Sequence, residues 1–309
     1  MYGNKSLPER LDIIGPKGQV IPNAKINIEY YVTKEEFRKM LYEEKLKYAE
    51  IAERIGFPYD LSNFSRIVRK LGWKTDTGKV DKYTVNEQFF NSWSKESAWV
   101  YGWLITDGHV NKKYVDLTLQ KTDSDVLDKI KDITNFSGPK YKRERKETIR
   151  IYNKNLVDSL FNIGFPKENK TFTCEMPDLP DEYMWHFIRG AFEGDGSIST
   201  SNLELHVSFC GASVSLLNGI NEFLNKNGIK TSLYLQKENL LVIRASGMES
   251  ALKWLYFMYA DTDAGIRMDR KFNKFVDFIR SFYSIRRKAK GAAEIVELAR
   301  QTIPECYAA

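Results

Sequence analysis

The sequence predicts an α+β fold in which duplicated halves, each ordered αββαββα, form a pseudo-two-fold β-saddle behind a small helical module. The first observation is an internal repeat: two apolar helical runs, 99–108 and 187–196, each carry a glycine near the middle and close on Asp-Gly, at an offset of 88 residues. The second is the matching order of strand and helix patterns after each run. The predicted half-domains are 95–180 and 181–283.

The two repeated runs are expected to pack against each other. A glycine inside a helix costs roughly 1 kcal/mol relative to alanine, so Gly102 and Gly190 need a packing reason, and close approach of two backbones is the commonest one. Such packing would place Asp107 and Asp195 side by side at adjacent helix C-termini, where the helix dipole is already negative. Carboxylates so placed repel unless a divalent cation intervenes, and oxygen ligands with open positions suit Mg²⁺. The repeat therefore predicts a magnesium site.

The paired runs resemble the motif of the LAGLIDADG homing endonucleases. The second copy, Glu193-Gly194-Asp195-Gly196, stands where that family has Asp-Ala-Asp-Gly. The first copy departs from the pattern, since Ile105 replaces the earlier acid and Tyr101 and Trp103 are bulkier than usual, yet the last acid is kept. A single copy would indicate only an amphipathic helix ended by an Asp-Gly turn. Two copies favour the family, and the resemblance covers about residues 95–283.

The resemblance also implies the site residues. Each half would supply one metal-binding aspartate with the carbonyl before it and a lysine after its last helix, and the first half a polar residue that positions water. The implied metal ligands are Asp107, Asp195, Thr106 and Gly194, and the implied catalytic residues are Asp107, Asp195, Lys170, Lys271 and Gln120. For either lysine alone, an ordinary exposed charge is the more frequent explanation. In the second half, Phe209-Cys210-Gly211 stands in the place of Gln120, so the water-positioning role would be asymmetric.

The strand and helix patterns recur in the same order in both halves. In the first half, Val115, Leu117 and Leu119 alternate with polar residues, as in a strand with one buried face. The patterns there predict a strand at 114–120, a helix at 123–135, a hairpin of 140–146 with 148–153, and a helix at 155–163. In the second half they predict a hairpin of 197–200 with 203–209, a helix at 213–226, a hairpin of 231–236 with 240–245, and a helix at 248–258.

The charge pattern favours a polyanionic partner. Lys and Arg exceed Asp and Glu by 47 to 41, and from Arg267 to Lys290 there are nine basic and two acidic residues. The first-half hairpin has six basic and two acidic residues between Lys140 and Arg150. Lysines can simply protect an exposed strand edge, but a ribbon that contacts phosphates or a groove explains the arginines better. The predicted DNA contacts here are Lys140, Lys142, Arg143, Arg145, Arg150, Arg267 and Arg270.

The N-terminal part, 1–80, indicates an arm followed by three helices. Thr33 is a good N-cap with Glu36 three residues on, and further helices are expected at about 47–55 and 61–71. The last two resemble a helix-turn-helix DNA-binding unit, although an ordinary three-helix bundle would show the same pattern. The expected DNA contacts are Ser62, Asn63, Ser65, Arg66 and Arg69. A linker is predicted at 81–94, beginning in the polar stretch that follows Trp73, and a basic tail at 284–309.

The cysteine pattern and the hydropathy exclude several classes of protein. Three scattered cysteines without a Cys-x-x-Cys pair make a disulfide framework or a zinc site an unsuitable explanation. The N-terminus has no charged-then-apolar signal sequence, and no apolar run approaches about 18 residues. We therefore expect a cytoplasmic protein, or one that is organellar or phage-encoded, without a membrane segment.

These observations predict a monomeric, Mg²⁺-dependent endonuclease that cuts both strands of DNA, with a stagger, at a long asymmetric target. A catalytically inactive transcription regulator of the same fold is one alternative, and retention of both acids and both lysines argues against it. An RNA-splicing maturase, which would need the basic ribbons but not two acids, is another. An intein is disfavoured because the sequence starts Met1-Tyr2 and ends Tyr307-Ala308-Ala309, without the Cys or Ser start and His-Asn end of protein splicing.

Overall fold

The computed structural model describes residues 13–14, 20–21, 28–57, 61–73, 83–201, 204–282 and 290–307. The chain divides into two compact units, Met1–Lys82 and Tyr83–Ala309. Among the helices in those ranges, none is long and apolar enough to cross a lipid bilayer.

The smaller unit contains a two-stranded ribbon and short helices. Strands β1 (Ile13–Ile14) and β2 (Val20–Ile21) pair antiparallel, and most of the predicted arm lies outside the described residues. The helices are α1 (Lys34–Arg38), which continues as a π-helical turn over Lys39–Glu43, α2 (Tyr48–Arg54) and α3 (Leu61–Lys70). Thr33 caps α1 as predicted, because its Oγ1 accepts a hydrogen bond from the Glu36 N–H at 3.2 Å while its own N–H donates to the Glu36 carboxylate at 3.0 Å.

The smaller unit has its own apolar core. Phe37, Ile51 and Phe64 are fully buried, and Trp73, which precedes the predicted linker, is only 4% exposed and packs among them. Helices α2 and α3 contact each other, and Gly56 takes φ +64° at the turn that follows α2, a conformation that favours glycine. A helix-turn-helix and a plain three-helix bundle share these features, so the DNA-binding assignment stays a prediction.

The first half of the larger unit begins with the first motif helix, α4 (Lys95–Thr106). The elements that follow are β3 (Gly108–Val110), β4 (Val115–Gln120), α5 (Ser124–Ile133), β5 (Tyr141–Lys142), β6 (Lys146–Ile151), α6 (Lys154–Asn162) and α7 (Lys170–Thr173). The strands form one antiparallel sheet in the order β3-β4-β6-β5. Sequence patterns did not assign β3, because three residues are too few to show alternation.

The second half repeats this order. Its elements are α8 (Asp181–Asp195), β7 (Gly196–Ser201), β8 (Glu204–Gly211), α9 (Val214–Lys226), β9 (Thr231–Lys237), β10 (Leu240–Ala245), α10 (Met248–Tyr259) and α11 (Asp269–Ser281). The antiparallel sheet has the equivalent order β7-β8-β10-β9. The predicted α+β class and the duplicated αββαββα order are therefore confirmed.

Strand register corrects one equivalence between the halves. Gly108 pairs with Leu117, and its counterpart Gly196 pairs with Phe209, so the two hairpins align at an offset of 92 residues (209 minus 117) rather than 88. The counterpart of Gln120 is therefore Ala212, and Cys210 corresponds to Thr118. The sequence comparison placed Cys210 at the position of Gln120 because it could not see that the second hairpin is four residues longer.

The predicted linker and tail are packed against the larger unit where the structure describes them. Residues 83–94 carry the buried Phe89 and Phe90, and the Asn86 N–H donates to the Thr134 carbonyl oxygen at 2.8 Å. Helices α12 (Lys290–Thr302) and α13 (Pro304–Tyr307) bury Ala299 and Cys306 against α10 and α11. Residues 290–307 are thus a folded part of the second half.

Candidate active site

The two motif helices cross in close contact, as their glycines predicted. A Cβ atom on Gly102 would lie 2.4 Å from the Phe187 carbonyl oxygen, and one on Gly190 would lie 2.1 Å from the Trp99 carbonyl oxygen. Any side chain at either position would force the backbones apart. Helices α4 and α8 therefore form the interface between the two halves.

The crossing brings both aspartates to one place. Asp107 directly follows α4, Asp195 ends α8, and a Cβ on Gly194 would lie only 2.8 Å from Asp107 Oδ2. Burial raises the pKa of Asp107, against the lowering effect of Lys170 and Lys271. Burial and then the charge of Asp107 raise the pKa of Asp195 to about 6. Neither carboxylate forms an ion pair with a residue that the structure describes.

The residues at this point fit a hard divalent cation. Both side-chain ligands are carboxylates that lack a cationic partner at ion-pair distance, and Gly194 leaves room beside Thr106 and Asp107 that a Cβ would fill. Within the described ranges, no group of three or more His, Cys, Asp or Glu side chains is placed to hold a metal. Further ligands would have to be backbone carbonyls, water or phosphate oxygens, which is the donor set that Mg²⁺ and Ca²⁺ take.

Both predicted lysines lie behind the aspartates and cap the motif helices. Lys170 Nζ donates to the Leu104 and Thr106 carbonyl oxygens, at 3.1 and 2.6 Å. Lys271 Nζ donates to the carbonyl oxygens of Phe192, Glu193, Gly194 and Gly196, at 2.8, 2.6, 3.4 and 2.7 Å. Burial lowers the pKa of both ammonium groups, that of Lys271 to about 8. Each lysine thus compensates a helix C-terminus besides lying close to an acid.

The lysines contact the same carbonyls that were predicted as metal ligands. Thr106 O accepts from Lys170, and Gly194 O accepts a longer hydrogen bond from Lys271. A carbonyl oxygen has two lone pairs, so it can accept from an ammonium and still face a cation. Gln120, at the end of β4, is exposed opposite Lys146.

A cavity of about 300 Å³ opens beside the second aspartate. Thr106, Lys170, Asp195 and Cys210 line it, and Cys210 Sγ lies 3.5 Å from the Asp195 carbonyl oxygen. The cavity gives polar groups of both halves access to the same space.

Comparison with known families now identifies part of the chain. Residues 182–253 match a LAGLIDADG-like domain. The match covers the second motif helix, α8, from its second residue onward and the sheet of the second half. The resemblance seen in the motif is thereby confirmed for residues 182–253, which carry its second copy.

Two curated relatives come from Methanocaldococcus jannaschii. An uncharacterized protein, MJ1054, is 25% identical over 208 residues, which are 56% of this chain and 23% of the relative. A probable translation initiation factor IF-2 is 25% identical over 171 residues, 52% of this chain and 14% of the relative. The chain thus spans less than a quarter of the length of either relative.

Two solved structures are also similar. The LAGLIDADG meganuclease I-AabMI bound to uncleaved DNA has a TM-score of 0.46 at 13% identity, covering 68% of this chain and 98% of that one. I-DmoI in complex with DNA and Ca has a TM-score of 0.40 at 16% identity, covering 57% and 92%.

Some predicted DNA contacts lie on exposed surface. Lys142, Arg143 and Arg145, at the tip of the first-half hairpin, are exposed. Arg150 is partly exposed, pairs with Asp116 and lies over the Tyr114 ring at 4.5 Å. In the smaller unit, Ser62, Arg66 and Arg69 are exposed on α3, Asn63 and Ser65 are half-buried, and Arg66 Nη2 donates to Asn63 Oδ1 at 2.9 Å.

Three predicted DNA contacts instead form ion pairs within the protein. Lys140 lies on the helix side of the sheet, where its Nζ donates to Ser124 Oγ at 2.8 Å and pairs with Asp128 and Glu147. Arg267 is buried, pairs with Glu305 at 2.7 Å and stacks on Phe272, and Arg270 pairs with Asp123 at 2.7 Å. Lys140 and Arg267 are therefore not available to a phosphate, and Arg270 is only partly so.

The structure reveals site residues that the sequence did not single out. Arg244 is exposed over the Tyr234 ring at 5.8 Å and pairs in register with Ser208, which makes it the second-half counterpart of Arg150. Its signal was an arginine in the exposed face of a strand. Glu193 and Trp99 form a buried hydrogen bond at 2.7 Å between the two motif helices. Only the replacement of Asp by Glu193 in the motif hinted at it.

Proposed function

We propose that this protein is a sequence-specific DNA endonuclease that requires Mg²⁺, acts as a monomer and cuts both strands. The observation that carries the proposal is the convergence of Asp107 and Asp195 at the crossing of two equivalent helices, each carboxylate without an ion-pair partner in the described structure. Two equivalent acids in two equivalent halves suit two equivalent scissile phosphates.

The metal would be held by Asp107 and Asp195 with the carbonyl oxygens of Thr106 and Gly194. A divalent cation supplies Lewis-acid stabilisation of phosphate oxygens and a bound water of lowered pKa. The chain itself contributes Lys170 and Lys271, whose charges lie behind the acids and would stabilise negative charge that develops on the phosphate. Gln120 would orient a water on the first-half side only, because its counterpart Ala212 has no polar side chain.

DNA would lie across the open faces of the two sheets. Exposed basic side chains at Lys142, Arg143, Arg145 and Arg244 would contact phosphates, while Arg150, held by Asp116, is positioned to read a base edge. The two faces carry different residues, which predicts an asymmetric target. Helix α3 of the smaller unit would extend that target through Ser62, Asn63, Ser65, Arg66 and Arg69.

The test is cleavage of a library of random duplexes with Mg²⁺, followed by sequencing of the cut ends. Asp107→Asn and Asp195→Asn should each abolish double-strand cleavage while affinity, measured with Ca²⁺, is kept or rises, since each removes a charge that repels phosphate. Asp277→Asn, on the exposed side of α11, is the control and should cut normally. Specific binding without cutting by the wild type would indicate the regulator, and binding only to structured RNA the maturase.

A further inference from the structure

We propose that Glu193 is a positioning residue that sets Lys271 beside the second aspartate, and that Trp99 from the first half holds Glu193 in place. This role rests on the proposed function, because it concerns the geometry of the same centre. It assigns a task to the earlier acid of the second motif, which the proposed chemistry does not use.

The Glu193 carboxylate joins three parts of the larger unit. It is 1% exposed, and its Oε2 accepts a hydrogen bond from the Trp99 indole Nε1 at 2.7 Å. Its Oε1 accepts one from the Met268 N–H at 2.8 Å. Met268 directly precedes α11, and Lys271 is the third residue of that helix. The carboxylate therefore fixes the start of the helix that carries the lysine.

A second charged group on the same helix holds the preceding loop. Arg189, four residues before Glu193 and fully buried, donates from Nε to the Ile266 carbonyl oxygen at 3.0 Å and from Nη1 to the Met258 carbonyl oxygen at 2.8 Å. The last turn of α10 and the loop between α10 and α11 are thus both tied to α8. Lys271 lies in α11, directly after this loop, and its Nζ donates to the Glu193 carbonyl oxygen at 2.6 Å.

The first half lacks this arrangement. At the offset of the motif repeat, the counterparts of Arg189 and Glu193 are Tyr101 and Ile105, which carry no charge. The lysine of that half, Lys170, starts a helix of four residues and contacts two carbonyls rather than four. The two lysines are therefore held by different means, although the acids they accompany are equivalent.

The energetics also favour a positioning role. A buried carboxylate carries a desolvation penalty, and well-packed apolar residues are often as stable or more stable in such places. Ile105 shows that this fold accepts an apolar side chain at the equivalent point. The carboxylate instead fixes the position of the start of α11 relative to both motif helices, because its two oxygens accept hydrogen bonds from two fixed donors, Trp99 Nε1 and Met268 N.

The test uses a pair of variants with a matched control in the full-length protein. Glu193→Gln keeps the shape but turns an amide N–H toward one of the two donors. Trp99→Phe removes the donor from the first half together with part of a buried ring, a loss of volume that the control below shares, and it keeps the proposal testable if Glu193→Gln does not fold. Trp103→Phe is the control, because this indole lies one turn on in the same helix and its Nε1 has no hydrogen-bond partner among the described residues.

The first measurement is single-turnover cleavage of each DNA strand on one cleavable duplex. Glu193→Gln should shift the ratio of the two strand rates about tenfold, the scale on which small misplacements of a reacting group act. The shift should have the direction produced by Lys271→Arg and oppose that of Lys170→Arg. Trp99→Phe should shift the ratio the same way by less, and Trp103→Phe should leave it unchanged. Equal slowing of both strands by Glu193→Gln and Trp99→Phe would overturn the proposal.

The second measurement does not need cleavage. In protein labelled with ¹⁵N at the lysine Nζ atoms, the Lys271 resonance is assigned by its loss in Lys271→Arg. It should move in Glu193→Gln and Trp99→Phe and stay in Trp103→Phe. If the wild type cuts no duplex, the proposed function fails while a moved resonance still supports the positioning role. An unmoved resonance in the folded variants would refute that role, whether or not the protein cuts.

Discussion

Gly190→Ala tests whether the helix crossing needs the absence of a side chain. Alanine favours a helix over glycine by about 1 kcal/mol, so propensity alone predicts stabilisation. The new Cβ would lie 2.1 Å from the Trp99 carbonyl oxygen, and a relaxed contact needs about 3.5 Å. Both groups belong to helix backbones, which cannot move alone, so we take the upper end of the usual overpacking cost, about 3 kcal/mol. The net expectation is destabilisation of the larger unit by about 2 kcal/mol.

Gly219→Ala is the matched control for this substitution. Gly219 also lies inside a helix, α9, but its Cβ would meet Cγ of Met176 at 2.2 Å, and that flexible side chain can turn away. Urea unfolding followed by tryptophan fluorescence should find this variant as stable as the wild type or more so. If Gly190→Ala unfolds at the same urea concentration as Gly219→Ala, the close crossing is not what the glycine provides. A fall in cleavage by Gly190→Ala should accompany its loss of stability, because the aspartates move with the helices.

Three further results are expected. Lys271→Met should slow cleavage in single-turnover kinetics by about 10² to 10³. It should also lower the free energy of unfolding by about 1–3 kcal/mol, because it leaves carbonyls of α8 without a donor. Unchanged stability would mean that the capping contacts are weak. Burial and the charge of Arg189 lower the pKa of His186 to about 4. The unfolded side chain titrates near 6.5, so the neutral, buried His186 contributes about 3 kcal/mol to the free energy of unfolding above that pH, and this contribution is lost as the pH falls toward 4. The variant His186→Gln should therefore show a free energy of unfolding that depends less on pH in this range. A truncated protein that starts at Lys82 should still cut DNA, with a footprint that is shorter on one side. The log-log slope of its binding constant against salt concentration should be smaller by about 0.9 for each phosphate contact that is lost. Identical footprints would show that the N-terminal unit does not read DNA.

The repeat allowed the fold and the central pair of acids to be predicted from the sequence. Gly102, Asp107 and their counterparts can be recognised in the sequence alone, because a glycine in an apolar helix needs close packing and the aspartates recur at the same distance from the glycines. The same holds for the alternating strands. Register was less accessible, because hairpin length, not motif spacing, decides that Ala212 corresponds to Gln120.

The partners of charged side chains could not be predicted in this way. Counts of basic residues included Lys140 and Arg267, but Asp128 and Glu305 lie 12 and 38 residues away from them and engage them only in the folded chain. The predicted basic tail contains α12, and the count of basic residues at its start did not reveal the apolar face of that helix. Its buried residues, Ala292, Ile295, Val296 and Ala299, show helical spacing that could have indicated packing.

The helix crossing also has a consequence for synthesis on the ribosome. Gly102 emerges 88 residues before Gly190, and at about 5–20 residues per second the first motif helix waits on the order of 10 s for its partner. During that interval the groove around Gly102 and the Trp99 indole have nothing from α8 to cover them. The nascent first half therefore exposes apolar surface that can aggregate. We expect chaperones that bind exposed apolar helices to bind ribosome-bound chains that stop between the two motifs.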